Sequence, residues 1–206
     1  ALTERVARLR GWRGPAFFAD ADAALKVKAA VGRLEAGLAV SLGEIEQADF
    51  ILVTAADPVN EAPMLALALR QAAQKGAAVV VIDPRPVFLP CGFIHIPTAP
   101  AALGPVLGRL VKKGIGPSGL EGAAARFRAS LPEDAVGAGG ELDRAAELLA
   151  GSRRPVIVCG TGSVAAGLVE LTADAALLLA AASKRAGLFC VLPEANSFAA
   201  GLLAAA

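Results

Sequence analysis

Short unbroken apolar runs alternate with stretches of helical periodicity along the chain, and the clearest example lies near its middle. Phe50 to Val53 follows Asp49 as a continuous apolar run. It is too short for a helix and is bounded by polar and turn residues, which predicts a strand buried on both faces. The chain breaks at Asp57-Pro58. Pro63 stands where a helix tolerates proline, Met64 to Lys75 supplies good helix formers, and Gly76 is placed to cap the C-terminus. A second buried run, Ala77 to Ile82, stops at Asp83-Pro84. Strand, helix and strand with short connections predict a βαβ unit with parallel strands and a right-handed crossover.

The same reading extends to both sides. Val6 and Leu9 among Arg5, Arg8 and Arg10 predict a short amphipathic helix from Leu2 to Arg13 ending near Gly11, with Trp12 packed beside it. Pro15 to Ala19 is expected as a short strand. Asp20 or Asp22 would cap a helix over Ala21–Glu35, terminated by Gly37, with Leu25, Val27, Val31 and Leu34 toward the core and Lys26, Lys28 and Arg33 toward water. Ser41-Leu-Gly-Glu44 has capping-box spacing.

Downstream of the central unit, Val87 to Pro90 is an irregular link. Phe93 to Ile96 reads as a third strand, and Pro97 to Pro100 starts a helix over Ala101–Lys112. Gly114 to Gly119 is the clearest linker. A helix over Glu121–Ser130, a loop over Leu131–Gly140 and a helix over Glu141–Ala150 precede another buried strand, Pro155 to Cys159. Gly160-Thr-Gly-Ser163 then turns into a helix over Ala165–Arg185, ended by Gly187, and Leu188 to Leu192 returns as a strand. The expected class is α/β, Rossmann-like three-layer βαβ units with mostly parallel sheets. Two units are expected, a Rossmann-like domain over 1–115 and a second βαβ subdomain over 116–206.

Composition narrows the function classes. With 206 residues, 55% of them hydrophobic, the chain can bury a sizeable core. A net charge of +1 and 4% aromatic residues argue against nucleic-acid binding. Its longest apolar runs, such as Ala175 to Ala182, fall short of the ~20 residues of a spanning helix, so no direct membrane insertion is expected. No secretory pattern opens the chain. It begins without methionine and stops in the apolar Gly201-Leu-Leu-Ala-Ala-Ala206, so a segment of a longer protein is expected. Cys91, Cys159 and Cys190 are too far apart in sequence for a CxxC site and are expected as buried thiols in a reducing cytosol.

Ligands of parallel sheets sit beyond the carboxyl ends of the strands, here the loops Thr54–Ala62 and Asp83–Pro86. Asp57, Asn60, Asp83 and Arg85 would converge there if the two strands are adjacent. An aspartate at a strand end can accept from a ribose hydroxyl or a guanine edge, and an arginine can clamp a phosphate. Turn chemistry and capping account for the same Asp and Asn without a ligand, and both readings stand. Gly160 and Gly162, at a strand-to-helix turn, would let backbone amides approach a phosphate, or would merely make the turn tight. His95, the single histidine, lies in an apolar strand and is expected to be structural. No metal ligand set and no catalytic residue is assigned.

The order of blocks Asp49-Phe-Ile-Leu-Val53, Ala56-Asp-Pro58, Pro63 and Val79-Val-Val-Ile-Asp-Pro-Arg85 resembles the molybdopterin oxidoreductase superfamily. That superfamily includes formate dehydrogenase and the large peripheral subunit of NADH-quinone oxidoreductase (complex I). Arg154-Pro-Val-Ile-Val-Cys-Gly-Thr-Gly162 and Glu194-Ala-Asn196 are similar to the family's next block, and the resemblance spans roughly 38–201. The family's Gly-x-Asn-Pro stands here as Ala55-Ala-Asp-Pro58, and its Pro-Gly-Thr-Asp as Pro97-Thr-Ala-Pro100.

These departures favour the complex I branch, with this domain a retained scaffold. The resemblance then implies a part in electron transfer from NADH to quinone, and no cofactor in this segment itself. Iron-sulfur clusters would lie upstream. Other subunits of a membrane-associated redox complex would be partners, with a cytoplasmic location peripheral to the inner membrane. Two alternatives remain. In a working molybdopterin enzyme such as formate dehydrogenase, Asp83 and Arg85 would hold molybdopterin guanine dinucleotide. The stretch from Ala145 to Gly162 also resembles the central domain of thiamine-diphosphate enzymes, although an Asp-Pro-Arg block would not precede such a domain.

Overall fold

The computed structural model describes residues 2–12, 18, 20–34, 37–133, 139–162 and 164–205. The expected strand over 15–19 lies outside them, apart from Phe18 in coil. One parallel sheet organises the rest, and its strands are β1 (Phe50–Thr54), β2 (Ala78–Asp83), β3 (Ile94–Pro97), β4 (Pro155–Gly160) and β5 (Gly187–Val191). They lie in the order β3-β2-β1-β4-β5. Each neighbouring pair is parallel, with Ile51 opposite Val79 on one side and Val156 on the other. The sheet runs across residue 115, where two units were expected. β4 and β5, from the C-terminal half, pair onto β1 and extend the sheet that β1 to β3 begin.

The unbroken apolar runs are explained by what covers them. Phe50, Leu52, Val80 and Ile82 point into one core layer, whereas Ile51, Val53, Val79 and Val81 point into the other. The first layer is roofed by α2 (Ala21–Arg33), α6 (Leu103–Gly114), α8 (Gly140–Gly151) and α9 (Ala166–Ala181). The second layer is roofed by α3 (Leu42–Ile45), α5 (Pro63–Gln74) and the loop carrying Val87 and Leu89. A strand buried on both faces can carry no polar alternation, and β1 is buried at every position.

Local signals set most of the helix ends. Asp20 caps α2 by accepting from the backbone N–H of Asp22 and Ala23, both at 3.1 Å. Ser41 and Glu44 form the expected capping box at α3. Pro63 opens α5, and Gly76 at φ +97° follows its C-cap in the left-handed region that glycine favours. The remaining helices are α1 (Leu2–Arg10), α4 (Pro58–Glu61), α7 (Gly122–Ser130) and α10 (Ser197–Ala205).

Four expectations are corrected. Trp12 does not pack beside α1 but is 65% exposed. On α2, Leu25 points outward, while the Lys26 side chain is largely covered, its ammonium meeting the exposed Asp22 carboxylate at 2.5 Å. The segment after Asp57 is not open loop but the single helical turn α4, capped by the Asp57 carboxylate. Finally, α9 stops at Ala181 rather than running to Arg185. Ser183 at φ +62° ends it, donating its N–H to the Ala180 carbonyl, while the Lys184 N–H reaches the Leu179 carbonyl. That is a Schellman turn with serine in the place usually taken by glycine. Gly187 serves a different need. A Cβ there would stand 2.3 Å from a Val40 methyl, because residues 38–40 run alongside β5.

Candidate functional site

The chain passes from β1 to β2 on one side and returns from β3 to β4 on the other. The crossovers therefore diverge between the carboxyl ends of β1 and β4, and an open α/β sheet binds ligands at such a place. Asp57, Asn60, Asp83 and Arg85 all lie on this edge, as do Gly160 and Gly162.

The four polar residues come together, and they spend their hydrogen bonds on one another. Asp83 ends β2 and is fully buried. Its Oδ1 accepts from the Arg85 backbone N–H at 2.8 Å and from Arg85 Nε at 2.9 Å, and its Oδ2 accepts from Nη2 at 3.0 Å. The third guanidinium nitrogen, Nη1, donates to Glu61 Oε1 at 3.2 Å. Hydrogen bonding to Asp83 raises the Arg85 pKa above its ordinary value, against the desolvation that burial imposes. Asp57 caps α4, and its carboxylate accepts from the Asn60 N–H at 3.4 Å and the Asn60 Nδ2 at 2.6 Å. Because Glu61 closes the same helical turn, α4 ties the Asp57–Asn60 pair to the Asp83–Arg85 pair. Glu61 was missed in the sequence, where nothing marks which carboxylate Arg85 will meet across 24 residues.

The two glycines part company. A Cβ on Gly160 would stand 1.9 Å from the Ala55 carbonyl oxygen, so the backbones ending β1 and β4 touch and only glycine fits. Ala55 itself is held at φ +52°. It occupies the position where the resembling family carries glycine, and left-handed backbone is the physical reason for that glycine. Gly162 has open space where a Cβ would be, and its carbonyl accepts from Lys26 Nζ at 3.5 Å. That bond points away from the Asp83–Arg85 pair and toward α2.

Two further groups complete this edge. The Thr54 hydroxyl, at the end of β1, is fully buried and has no hydrogen-bond partner among the described residues. The His95 ring sets Nε2 3.2 Å from the Asp83 backbone carbonyl, a structural contact of the kind expected for it. Among the cysteines, Cys159 is buried and Cys190 half-buried. Burial pushes their thiols up to about 11 and about 12, which keeps both protonated and unreactive. Among the described residues, no group of three or more His, Cys, Asp or Glu could hold a metal ion. No helix among them is long and apolar enough to cross a membrane.

A guanine dinucleotide, which the family resemblance implies for a working enzyme, would need free acceptors on an aspartate and free donors on an arginine. Here the Asp83 carboxylate is shut beneath the Arg85 fork, and that guanidinium is divided between two carboxylates. Beside them, the backbones that end β1 and β4 touch where Gly160 meets Ala55. The donor set as arranged does not fit that group.

Comparison with known proteins agrees with the blocks from Asp49 to Arg85 and does not reach those at Arg154–Gly162 and Glu194–Asn196. Residues 17–112 match the family model of the molybdopterin oxidoreductases, a span that contains Asp57, Asn60, Asp83 and Arg85 but neither Gly160 nor Gly162. The match supports the molybdopterin oxidoreductase superfamily and a redox-enzyme-related subunit. No curated protein matches the chain. Among solved structures, a chain of the formyltransferase/hydrolase complex from Methylorubrum extorquens, determined with methylofuran, matches with a TM-score of 0.49 and 21% identity. The match covers 84% of this chain and 44% of that one, so the chain spans less than half of the length of the protein it resembles.

Proposed function

We propose that this chain is a scaffold domain of a redox-enzyme subunit of the molybdopterin oxidoreductase type, one in which the dinucleotide site has been closed from within. The observation that carries the reading is the Asp83–Arg85–Glu61 network. A buried carboxylate that receives three hydrogen bonds from one arginine is satisfied without a ligand, and opening it would leave a charge unpaired in the core. The eroded blocks Ala55-Ala-Asp-Pro58 and Pro97-Thr-Ala-Pro100 point toward a subunit like the large peripheral one of NADH-quinone oxidoreductase. Its parent would help pass electrons from NADH toward quinone through iron-sulfur clusters held elsewhere, alongside other subunits of a membrane-associated complex.

The test is the metal and pterin content of the full-length protein, purified without oxygen. Iron in the absence of molybdenum, tungsten and pterin is the expected result. Stoichiometric pterin with molybdenum or tungsten would overturn the scaffold reading and turn attention to Arg85 as a ligand-binding residue. Guanosine diphosphate titrated against this chain gives a second measure, and no saturable binding is expected at millimolar concentration.

A further inference from the structure

The opposite edge of the sheet, at the amino ends of β1 and β4, is built very differently. Asp49 immediately precedes β1, and its carboxylate accepts from the backbone N–H groups of Arg153 at 2.8 Å and Arg154 at 2.9 Å. The Asp49 N–H in turn donates to the Arg154 carbonyl at 3.3 Å, and the Arg185 N–H donates to the Arg153 carbonyl at 2.9 Å. These bonds fix the backbone at three arginines and leave each side chain outside. Arg153, Arg154 and Arg185 are exposed. Lys184 lies between them, its ammonium spanning the Ala150 carbonyl at 3.0 Å and the Ser152 carbonyl at the end of α8. Together with Asp49 and Ser183 these residues line an open cleft of about 720 Å³.

We propose that this cleft docks an acidic segment of a partner protein. The charge count favours an anion: four cationic side chains stand around one carboxylate, in a chain whose net charge is only +1. The arrangement of that charge favours an extended partner over a compact one. The floor offers an anion little, because the Asp49 carboxylate occupies the Arg153 and Arg154 N–H groups and the Lys184 ammonium is taken up by the Ala150 and Ser152 carbonyls. A phosphate entering the cleft would face that floor. A peptide carrying several carboxylates can instead lie across the rim and meet the three guanidinium groups where they stand. Arginine suits this task, since its planar fork pairs with carboxylates bidentately. The cleft lies on the edge of the sheet away from the closed site, so docking there is independent of whether the full-length protein holds pterin.

The probe is a fluorescein-labelled deca-glutamate peptide, followed by anisotropy on the whole chain. Binding should be saturable at 30 mM salt and weaken steeply by 300 mM, because the Debye length shrinks through about 10 Å near 0.1 M. The triple substitution Arg153→Gln, Arg154→Gln and Arg185→Gln should weaken it at least tenfold. A control with the same loss of charge, Arg5→Gln, Arg10→Gln and Lys28→Gln, should leave it within twofold. Charge reversal to glutamate at the three cleft arginines should transfer binding to deca-lysine, which guards against a variant that has merely lost its fold. An equal loss in the cleft and control variants would overturn the proposal. So would the absence of binding at 30 mM salt, or competition by inorganic phosphate or anionic vesicles at the same three arginines.

Discussion

The two edges of the sheet use similar residues to opposite ends. At the carboxyl edge an aspartate and an arginine two residues apart bind each other, so the charge is spent inside the molecule. At the amino edge Asp49 binds the backbone of two arginines instead of their side chains, so the charge is left outside. A motif made of Asp and Arg therefore says little until the partner atom is known. Backbone recognition by a carboxylate presents arginines, and side-chain recognition hides them.

Gly160→Ala should produce the largest effect. The new methyl would stand 1.9 Å from the Ala55 carbonyl oxygen, and backbone cannot swing away as a flexible side chain can. A destabilisation of about 3 kcal/mol or more is expected, read as a lower midpoint in urea unfolding at an unchanged slope. Gly162→Ala, in open space, should cost far less. Equal costs at the two glycines would mean that the close approach of β1 and β4 is not a constraint on this fold.

Arg85→Ala comes next. It leaves Asp83 fully buried with only the backbone N–H of residue 85 as a partner, and a loss of about 2–4 kcal/mol is expected. Arg153→Ala, at the other edge, removes an exposed side chain and should change stability by less than about 0.5 kcal/mol. The contrast sharpens the comparison directly. If Arg85→Ala also proved neutral while guanosine diphosphate began to bind, the network would be a latch over a working site instead of a filled one.

The elements themselves were legible in the sequence wherever one residue type decides the outcome. The runs Phe50–Val53 and Ala77–Ile82 can only be strands buried on both faces. Pro63 and Gly76 bracket α5 as expected, and Ser41 with Glu44 forms its box. Long-range pairing was not legible. That β4 joins the sheet beside β1 depends on contacts across a hundred residues, and no local signal separates that arrangement from a second sheet. Asp49 read only as the polar residue before a strand, because its partners at Arg153 and Arg154 lie 104 and 105 positions away. At the candidate site the meeting of Asp57, Asn60, Asp83 and Arg85 followed from parallel pairing of β1 and β2. That the Asp83–Arg85 pair would also be tied to α4 depended on Glu61, which the sequence does not single out.

Thr54→Val tests the carboxyl edge from within. The Thr54 hydroxyl is buried with no partner among the described residues, and valine has nearly the same shape without the polar atom. Removing an unsatisfied buried group should stabilise the fold by about 1 kcal/mol, seen as a higher denaturation midpoint. A loss of stability instead would mean that the hydroxyl has a partner in solution, and a buried water would be the first to seek.

Small effects of opposite origin come from two strained residues, one at each edge. Ala55 and Ser183 both hold positive φ, at +52° and +62°, where a side chain costs roughly 1–2 kcal/mol relative to right-handed backbone. Glycine relieves that strain at either position but adds freedom to the unfolded chain, which offsets about half of the gain. At exposed Ser183 nothing else is lost, so Ser183→Gly should stabilise by about 0.5–1 kcal/mol. At Ala55, 2% exposed, the methyl is buried in the core, and losing it forfeits about 0.8 kcal/mol of burial. Ala55→Gly should therefore come out near zero, although it restores the residue that the resembling family carries there. Thermal unfolding of the two variants side by side decides the matter. An equal gain at both would mean that the Ala55 methyl contributes nothing to packing, and the alanine would then stand as strain kept for no structural return.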